Sequence, residues 1–255
     1  MSPRMRINRF LAAAGFGSRR ACEALIRAGA VSLNGTIVEK LAAVVDSETD
    51  TVVVEGRTVA AAPPRLVYVL NKPTGVLSTV VDTHDRRTVV DIAREHGYRE
   101  RLFPVGRLDL DTSGILILTN DGDLSYRLTH PRFKIEKTYR VDVKGEVADE
   151  IADAIAAGVD LGGYRTKPCR VEILERSGEA TVLRVRLREG RKRQIRRMFA
   201  LHGHHVAALE RTALGDLTFD DLAPGRMRAL TAREDHRLRE LAGLLNEGED
   251  RSSCH

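Results

Sequence analysis

Residues 60 to 65 read AAAPPR, and the adjacent prolines Pro63 and Pro64 restrict every fold open to this chain. Proline fixes φ and lacks an amide proton, so neither an α-helix nor a central strand continues through the pair. The segment therefore reads as a linker, residues 60–65, between a small unit at 4–59 and a larger one at 66–245. The 255 residues are enough for two such units, each with its own core. Hydrophobic residues make up 42% and charged residues 30%, the balance of a soluble globular protein rather than a disordered or fibrous one.

In the small unit, Ile7, Phe10, Leu11 and Ala14 share one helical face. Gly15 and Gly17 end that helix, and Ser18 is placed to cap a second one, buried through Leu25 and Ile26. In VSLNGTIV, residues 31 to 38, Asn34-Gly35 sits between alternating residues and predicts a hairpin, because both turn positions need positive φ. Residues 51 to 54 add a further β segment.

The larger unit mixes strands and helices. Leu66 to Leu70 and Ile115 to Thr119 are short, nearly continuous apolar runs, as in strands buried on both faces. Residues 134 to 143 alternate. Helices are predicted near 147–157, 191–203 and 231–245, the last with Thr231 and Glu234 spaced as a capping box. The fold class is α+β: a small N-terminal module, then a mixed, mainly antiparallel sheet with flanking helices. Residues 246 to 255, NEGEDRSSCH, are polar and aperiodic and read as a flexible tail.

No apolar run is long enough to span a bilayer, and the basic start MSPRMRINRF lacks the apolar stretch of a secretory signal, so a cytoplasmic location is expected. Cys22, Cys169 and Cys254 are odd in number and far apart, which predicts neither disulfides nor a zinc site. His202, His204 and His205 lack a carboxylate or cysteine partner at ligand spacing, and no metal is implied. The glycines do not fall in a nucleotide-cofactor pattern, and no serine nucleophile elbow is present.

Three segments carry chemistry. VGRLDLDTSGILILTNDG, residues 105 to 122, sets carboxylates among turn-forming residues beside a buried strand. It reads as a polar turn, as half of a calcium loop that lacks the twelfth-position glutamate, where Asn120 stands, or as a carboxylate in a cleft kept ionised by a cation. RLREGRKRQIRRMF, residues 186 to 199, carries seven basic residues and no acid but Glu189. On a helix Ile195, Met198, Phe199 and His202 face inward, while Lys192, Arg193 and Arg197 face out. Such a run is either a solvated face or a surface for a polyanion. A net charge of +5, with a second basic cluster at Arg4, Arg6, Arg9, Arg19 and Arg20, favours an extended nucleic acid across both. In FKIEKTYRVDV, residues 133 to 143, Tyr139 is a core aromatic or, in a chain with 4% aromatics, one of few stacking surfaces for a base.

Five segments in order resemble those of the pseudouridine synthases that modify ribosomal RNA and carry an N-terminal alpha-L RNA-binding module. They are RINRFLAAAGFGSRRACEALIRAGAVSLNG, YVLNKPTGVLST at 68–79, VGRLDLDTSGILILTNDG at 105–122, EKTYRV at 136–141 and EGRKRQIRRMF at 189–199, and the resemblance extends over nearly the whole chain, from about Arg4 to Leu245. The resemblance implies that Asp109 is the catalytic aspartate and that Arg107 enters the space left by a flipped nucleotide. It implies that Tyr139 lies beside the uracil, Ile195 lines its pocket, and Arg196 pairs with the aspartate, with Asp111 outside that role. It implies a reaction without cofactor or metal, in a monomer, on a structured stem-loop of ribosomal RNA or on a ribosome assembly intermediate. Arg9, Arg19, Arg20, Arg191, Lys192, Arg193 and Arg197 are then the expected RNA contacts. EGRKRQIRRMFALHGHHV and the closing HRLREL look more like the large-subunit branch, which acts on 23S RNA. A small-subunit enzyme acting on 16S RNA and a noncatalytic RNA-binding assembly factor are the alternatives.

Overall fold

The computed structural model describes residues 4–59 and 64–245; linker residues 60–63 and the expected tail, 246–255 with Cys254, lie outside the described residues. The chain divides into two compact units, one ending at Arg65 and one beginning at Leu66.

The first unit runs β1 (Arg4–Arg6), α1 (Ile7–Ala13), α2 (Arg19–Arg27), β2 (Val31–Leu33), β3 (Thr36–Ile37), β4 (Val44–Asp46), β5 (Val52–Val54) and β6 (Arg57–Thr58). Ser18 Oγ accepts the Ala21 amide at 3.1 Å and caps α2. The β2–β3 turn has Asn34 at φ 50° and Gly35 at φ 82°, as the hairpin signal requires. Asn34 also pins the turn from its side chain, donating to Asp50 and accepting from the Thr51 amide, each at 2.8 Å. Strands β3, β2, β5 and β6 form one sheet in that order, and β1 pairs with β4. Ile7, Leu11, Cys22, Ile26, Val45 and Val52 make the buried core.

The second unit runs β7 (Val67–Lys72), α3 (Val89–Glu95), β8 (Phe103–Pro104), β9 (Ser113–Thr119), α4 (Gly122–Thr129), β10 (Lys137–Lys144), α5 (Asp149–Ala157), β11 (Arg170–Ser177), β12 (Ala180–Leu187), α6 (Gln194–Leu201), β13 (Val206–Leu214), β14 (Leu217–Thr218), β15 (Met227–Ala229) and α7 (Ala232–Leu241). Its sheet has the order β11-β12-β10-β13-β9-β7-β15, with β14 added to β13 and β8 to β9. Every pairing is antiparallel except β9 with β13, where Ser113 and Gly114 lie opposite Glu210 and Arg211.

The continuous apolar runs are explained by a core on each face. Val67, Val69, Ile115 and Ile117 pack with Leu124, Leu128 and Leu238 on one side. Tyr68, Leu70, Leu116 and Leu118 pack with Val89 and Ile92 on the other. A third cluster joins Val141, Leu183 and Val185 to Ile155, Ile195, Met198 and Phe199. The capping box at Thr231 and Glu234 forms as expected. Helix α6 differs from expectation: it begins at Gln194, not at residue 191, because Arg193 takes left-handed backbone geometry (φ 52°). Arg191, Lys192 and Arg193 therefore stand in the turn before it.

Candidate active site

The loop from Val105 to Thr112 joins β8 to β9, and the end of β7 with the segment after it holds the loop at every second residue from Leu108. Ser78 Oγ donates to Leu108 O at 3.0 Å and accepts from Leu108 N at 3.1 Å. The Gly75 amide donates to Leu110 O at 2.8 Å. Lys72 Nζ donates to Thr112 O at 2.8 Å and to Pro73 O at 2.9 Å. With 108, 110 and 112 bound on one side, Arg107, Asp109 and Asp111 are the residues left to face elsewhere, which sets a loop that local propensity alone would leave mobile. Lys72, Gly75 and Ser78 have no individual part in the reading of the sequence. The only local signal for them was a lysine ending an apolar strand and a Ser after Gly and Pro.

Lys72 is fully buried. Burial pushes its amine down to about 8, and Asp111 and Asp109 act against that shift. Asp109 is half-buried, and its charge also supports the cationic form of Arg193. The guanidinium of Arg193 grips Asp111 at both oxygens, at 3.0 and 2.9 Å. Arg196 donates to Asp111 O at 2.8 Å and to Val206 O at 2.7 Å, and its Nε lies 3.2 Å from Asp111 Oδ2, an ion contact without the direction of a hydrogen bond. Burial tends to raise the Asp111 carboxyl, but the Arg193 hydrogen bonds and the Arg196 charge outweigh it and hold the group below its usual range. The expected pairing of Arg196 with Asp109 is thus corrected: Asp111, two residues on, takes both arginines. The same occupation argues against the calcium-loop reading, since Asp111 is committed to guanidinium groups.

A cleft of about 390 Å³ opens beside the loop, lined by Arg107, Lys137, Tyr139, Arg188, Arg191 and Arg211 among others. Tyr139 packs against both the cluster that contains Leu108 and the cluster that contains Ile195, so it joins the loop to α6. Its neighbours across the sheet are Val185 on β12 and Arg211 on β13. Asp109, Ile195 and Arg196 do not line the cleft; Ile195 is 4% exposed and belongs to the core.

The basic segment is less free than its composition suggests. Arg191 stacks on Tyr164 with its guanidinium carbon 3.8 Å from the ring centre. Arg193 is held by Asp111, and Arg197 donates to Leu161 O. Lys192 is exposed. In the first unit Arg19 and Arg20 are exposed at the start of α2, and Arg9 is half-buried on α1.

Residues 66–201 match the family described as RNA pseudouridylate synthase, and residues 5–52 match the S4 domain. An uncharacterised RNA pseudouridine synthase of Aquifex aeolicus (strain VF5) is 39% identical over 94% of this chain and 96% of its own length. The ribosomal large subunit pseudouridine synthase B of Bacillus subtilis (strain 168) is 38% identical over 93% of this chain and 96% of its own. Among solved structures, a pseudouridylate synthase crystal structure superposes with a TM-score of 0.64 at 31% identity, covering 93% of this chain and 99% of that one. No described helix is long and apolar enough to cross a membrane. A mainly antiparallel sheet with flanking helices, an N-terminal RNA-binding module and relatives matched over nearly their whole length agree, and the chain belongs to the RNA pseudouridine synthase family of isomerases, with an S4 domain at its N-terminus.

Proposed function

We propose that this enzyme converts one uridine of large-subunit ribosomal RNA to pseudouridine, with Asp109 as nucleophile. The observation that carries the reading is the clamped loop, which holds Arg107 at the cleft and Asp109 two residues on, near the cations Lys72 and Arg193. The choice of the large subunit rests on the relative named ribosomal large subunit pseudouridine synthase B.

The target uridine leaves its stack, and Arg107 fills the space it vacates. Asp109 attacks the anomeric carbon C1′; the bond from N1 to C1′ breaks and its electron pair leaves with the uracil. The uracil turns beside Tyr139, C5 bonds to C1′, and the Asp109 carboxylate is released. The proton on C5 passes to a base, for which Tyr139 is the proposed acceptor, and N1 regains a proton, so no atom is gained or lost. Lys72 and Arg193 set positive charge beside the nucleophile, and Arg196 positions the loop through Asp111. Ile195 backs Tyr139 from the core. Arg9, Arg19, Arg20 and Lys192 are proposed to meet RNA phosphates, with Arg191 and Arg197 beside them, in a cytoplasmic monomer acting on free RNA or on an assembly intermediate.

Pseudouridine mapping of ribosomal RNA from cells lacking the protein, complemented with wild type or Asp109→Asn, tests this. One large-subunit site should vanish and return only with wild type. A lost site in 16S RNA would move the substrate to the small subunit, and an unchanged map would remove the ribosomal reading.

A further inference from the structure

Two cations in the cleft, Lys137 and Arg211, have no counter-charge among the described residues. Arg211 is 5% exposed; its Nε donates to Ile115 O at 2.6 Å, and its terminal nitrogens make no hydrogen bond among the described residues. Lys137 lies on the same face of the neighbouring strand, two residues before Tyr139, and its amine donates only to a neutral carbonyl, Ile135 O, at 2.8 Å. Among the described residues Glu189 is the one carboxylate lining the cleft, and its Oε1 already accepts from Tyr164, Gln194 and the Lys167 amide. Nearby Arg188 is paired with Glu136. Holding a buried guanidinium beside a half-buried amine of the same sign costs free energy that neither neutral acceptor repays. A bound anion repays it.

We propose that Lys137 and Arg211 form a phosphate-binding subsite in the cleft wall that takes a backbone phosphate of the RNA strand carrying the target uridine. The free terminal nitrogens of Arg211 supply the planar fork that suits phosphate oxygens, and Lys137 adds a point charge beside it. Gly114 permits the placement. A Cβ there would stand 2.2 Å from Arg211 O and 2.6 Å from Arg211 N, so the bare glycine lets β13 close on β9 and the Arg211 side chain reach Ile115 O. The inference rests on reading this cleft as the place where the RNA strand enters. It adds a fixed phosphate, next to Tyr139, against which the flipped base is measured.

The test has two arms on the full chain. First, the lysine amines are labelled by reductive methylation with carbon-13 and titrated by NMR with and without inorganic phosphate, Lys137→Arg assigning the resonance. Burial and the Arg211 charge lower the free amine to about 8, so phosphate should move its titration upward. A midpoint unmoved by phosphate overturns the subsite whatever the enzyme modifies. Second, Lys137→Gln should weaken binding of the stem-loop found by mapping roughly ten-fold and lower the salt slope by about 0.7–0.9, with Lys137→Arg restoring both. A methylphosphonate at the one phosphate concerned should weaken wild type by a similar factor and leave the Gln variant unaffected. Equal losses in both proteins at every flanking phosphate would show a site for free anions and overturn the RNA assignment. Failure of the mapping experiment alone would instead strike the ribosomal substrate and leave the first arm standing.

Discussion

Asp109 and Asp111 stand two residues apart in one loop, yet their surroundings differ, and the proposed function gives them different work. Asp111 is consumed by Arg193 and Arg196. Its removal should therefore be felt first as instability: Asp111→Asn is expected to cost about 1–2 kcal/mol in urea unfolding, the exposed Arg193 pair contributing the smaller share and the nearly buried Arg196 contacts the larger. Asp109→Asn should leave unfolding within about 0.5 kcal/mol of wild type and abolish pseudouridine formation. A catalytically competent Asp109→Asn enzyme would return the nucleophile's role to another group. The two variants also differ in acid. Because Asp111 has a folded-state pKa below its unfolded value, its contribution is present above the ordinary aspartate range near 3.9 and is lost as pH falls through the depressed value. Acid unfolding followed by circular dichroism should show that limb in wild type and Asp109→Asn, and not in Asp111→Asn.

At the scale of elements, the segment after β7 works as a brace for the loop. Ser78→Ala removes both the donor to Leu108 O and the acceptor of Leu108 N, leaving buried backbone groups unpaired. A loss of about 1–2 kcal/mol follows, concentrated in the loop, so hydrogen exchange should report faster exchange at Leu108 than at β9. Turnover should fall more than substrate affinity, and an unchanged Leu108 exchange rate would show that the brace lies elsewhere. Gly114→Ala should be far more damaging, about 3 kcal/mol or more, because the added methyl meets backbone rather than a movable side chain, at φ 102°. Gly178→Ala, with nothing within 4 Å, is its control. Elements with local signals were legible in the sequence: the Ser18 cap, the Asn34-Gly35 turn, the Thr231 capping box and the two apolar strands. Helices α3 and α4, seven and eight residues long, were not. The late start of α6 was hidden because nothing in RKRQ announces that Arg193 turns left-handed. Within the candidate site, the segment alone left its carboxylates equivalent and only the family resemblance separated Asp109 from Asp111; the Asp111 ion pairs span 82 and 85 residues and Arg211 meets Gly114 across a strand pair, and no local pattern encodes such distant partners.

For the whole molecule, each core is drawn from one unit: that of the first from residues 7 to 59, those of the second from residues 67 to 242. Residues 66–245 thus hold three buried cores of their own, which is enough for this unit to fold by itself. A fragment beginning at residue 64 should therefore unfold in a single transition, with a midpoint within a few degrees of the corresponding transition in the full chain. Its chemistry should also survive, because the clamped loop, Tyr139 and the cationic cleft all belong to the second unit. What it loses is the second basic surface at Arg19 and Arg20. Since two linked modules bind one RNA with an advantage set by effective concentration, the fragment's affinity should drop by about a hundred-fold or more, with a shallower salt dependence. Single-turnover assays at saturating RNA separate the two contributions. A fragment that reacts at the wild-type rate once saturated places the S4 domain in recognition alone, whereas a folded fragment that stays slow at saturation would mean that the first unit helps to expose the uridine.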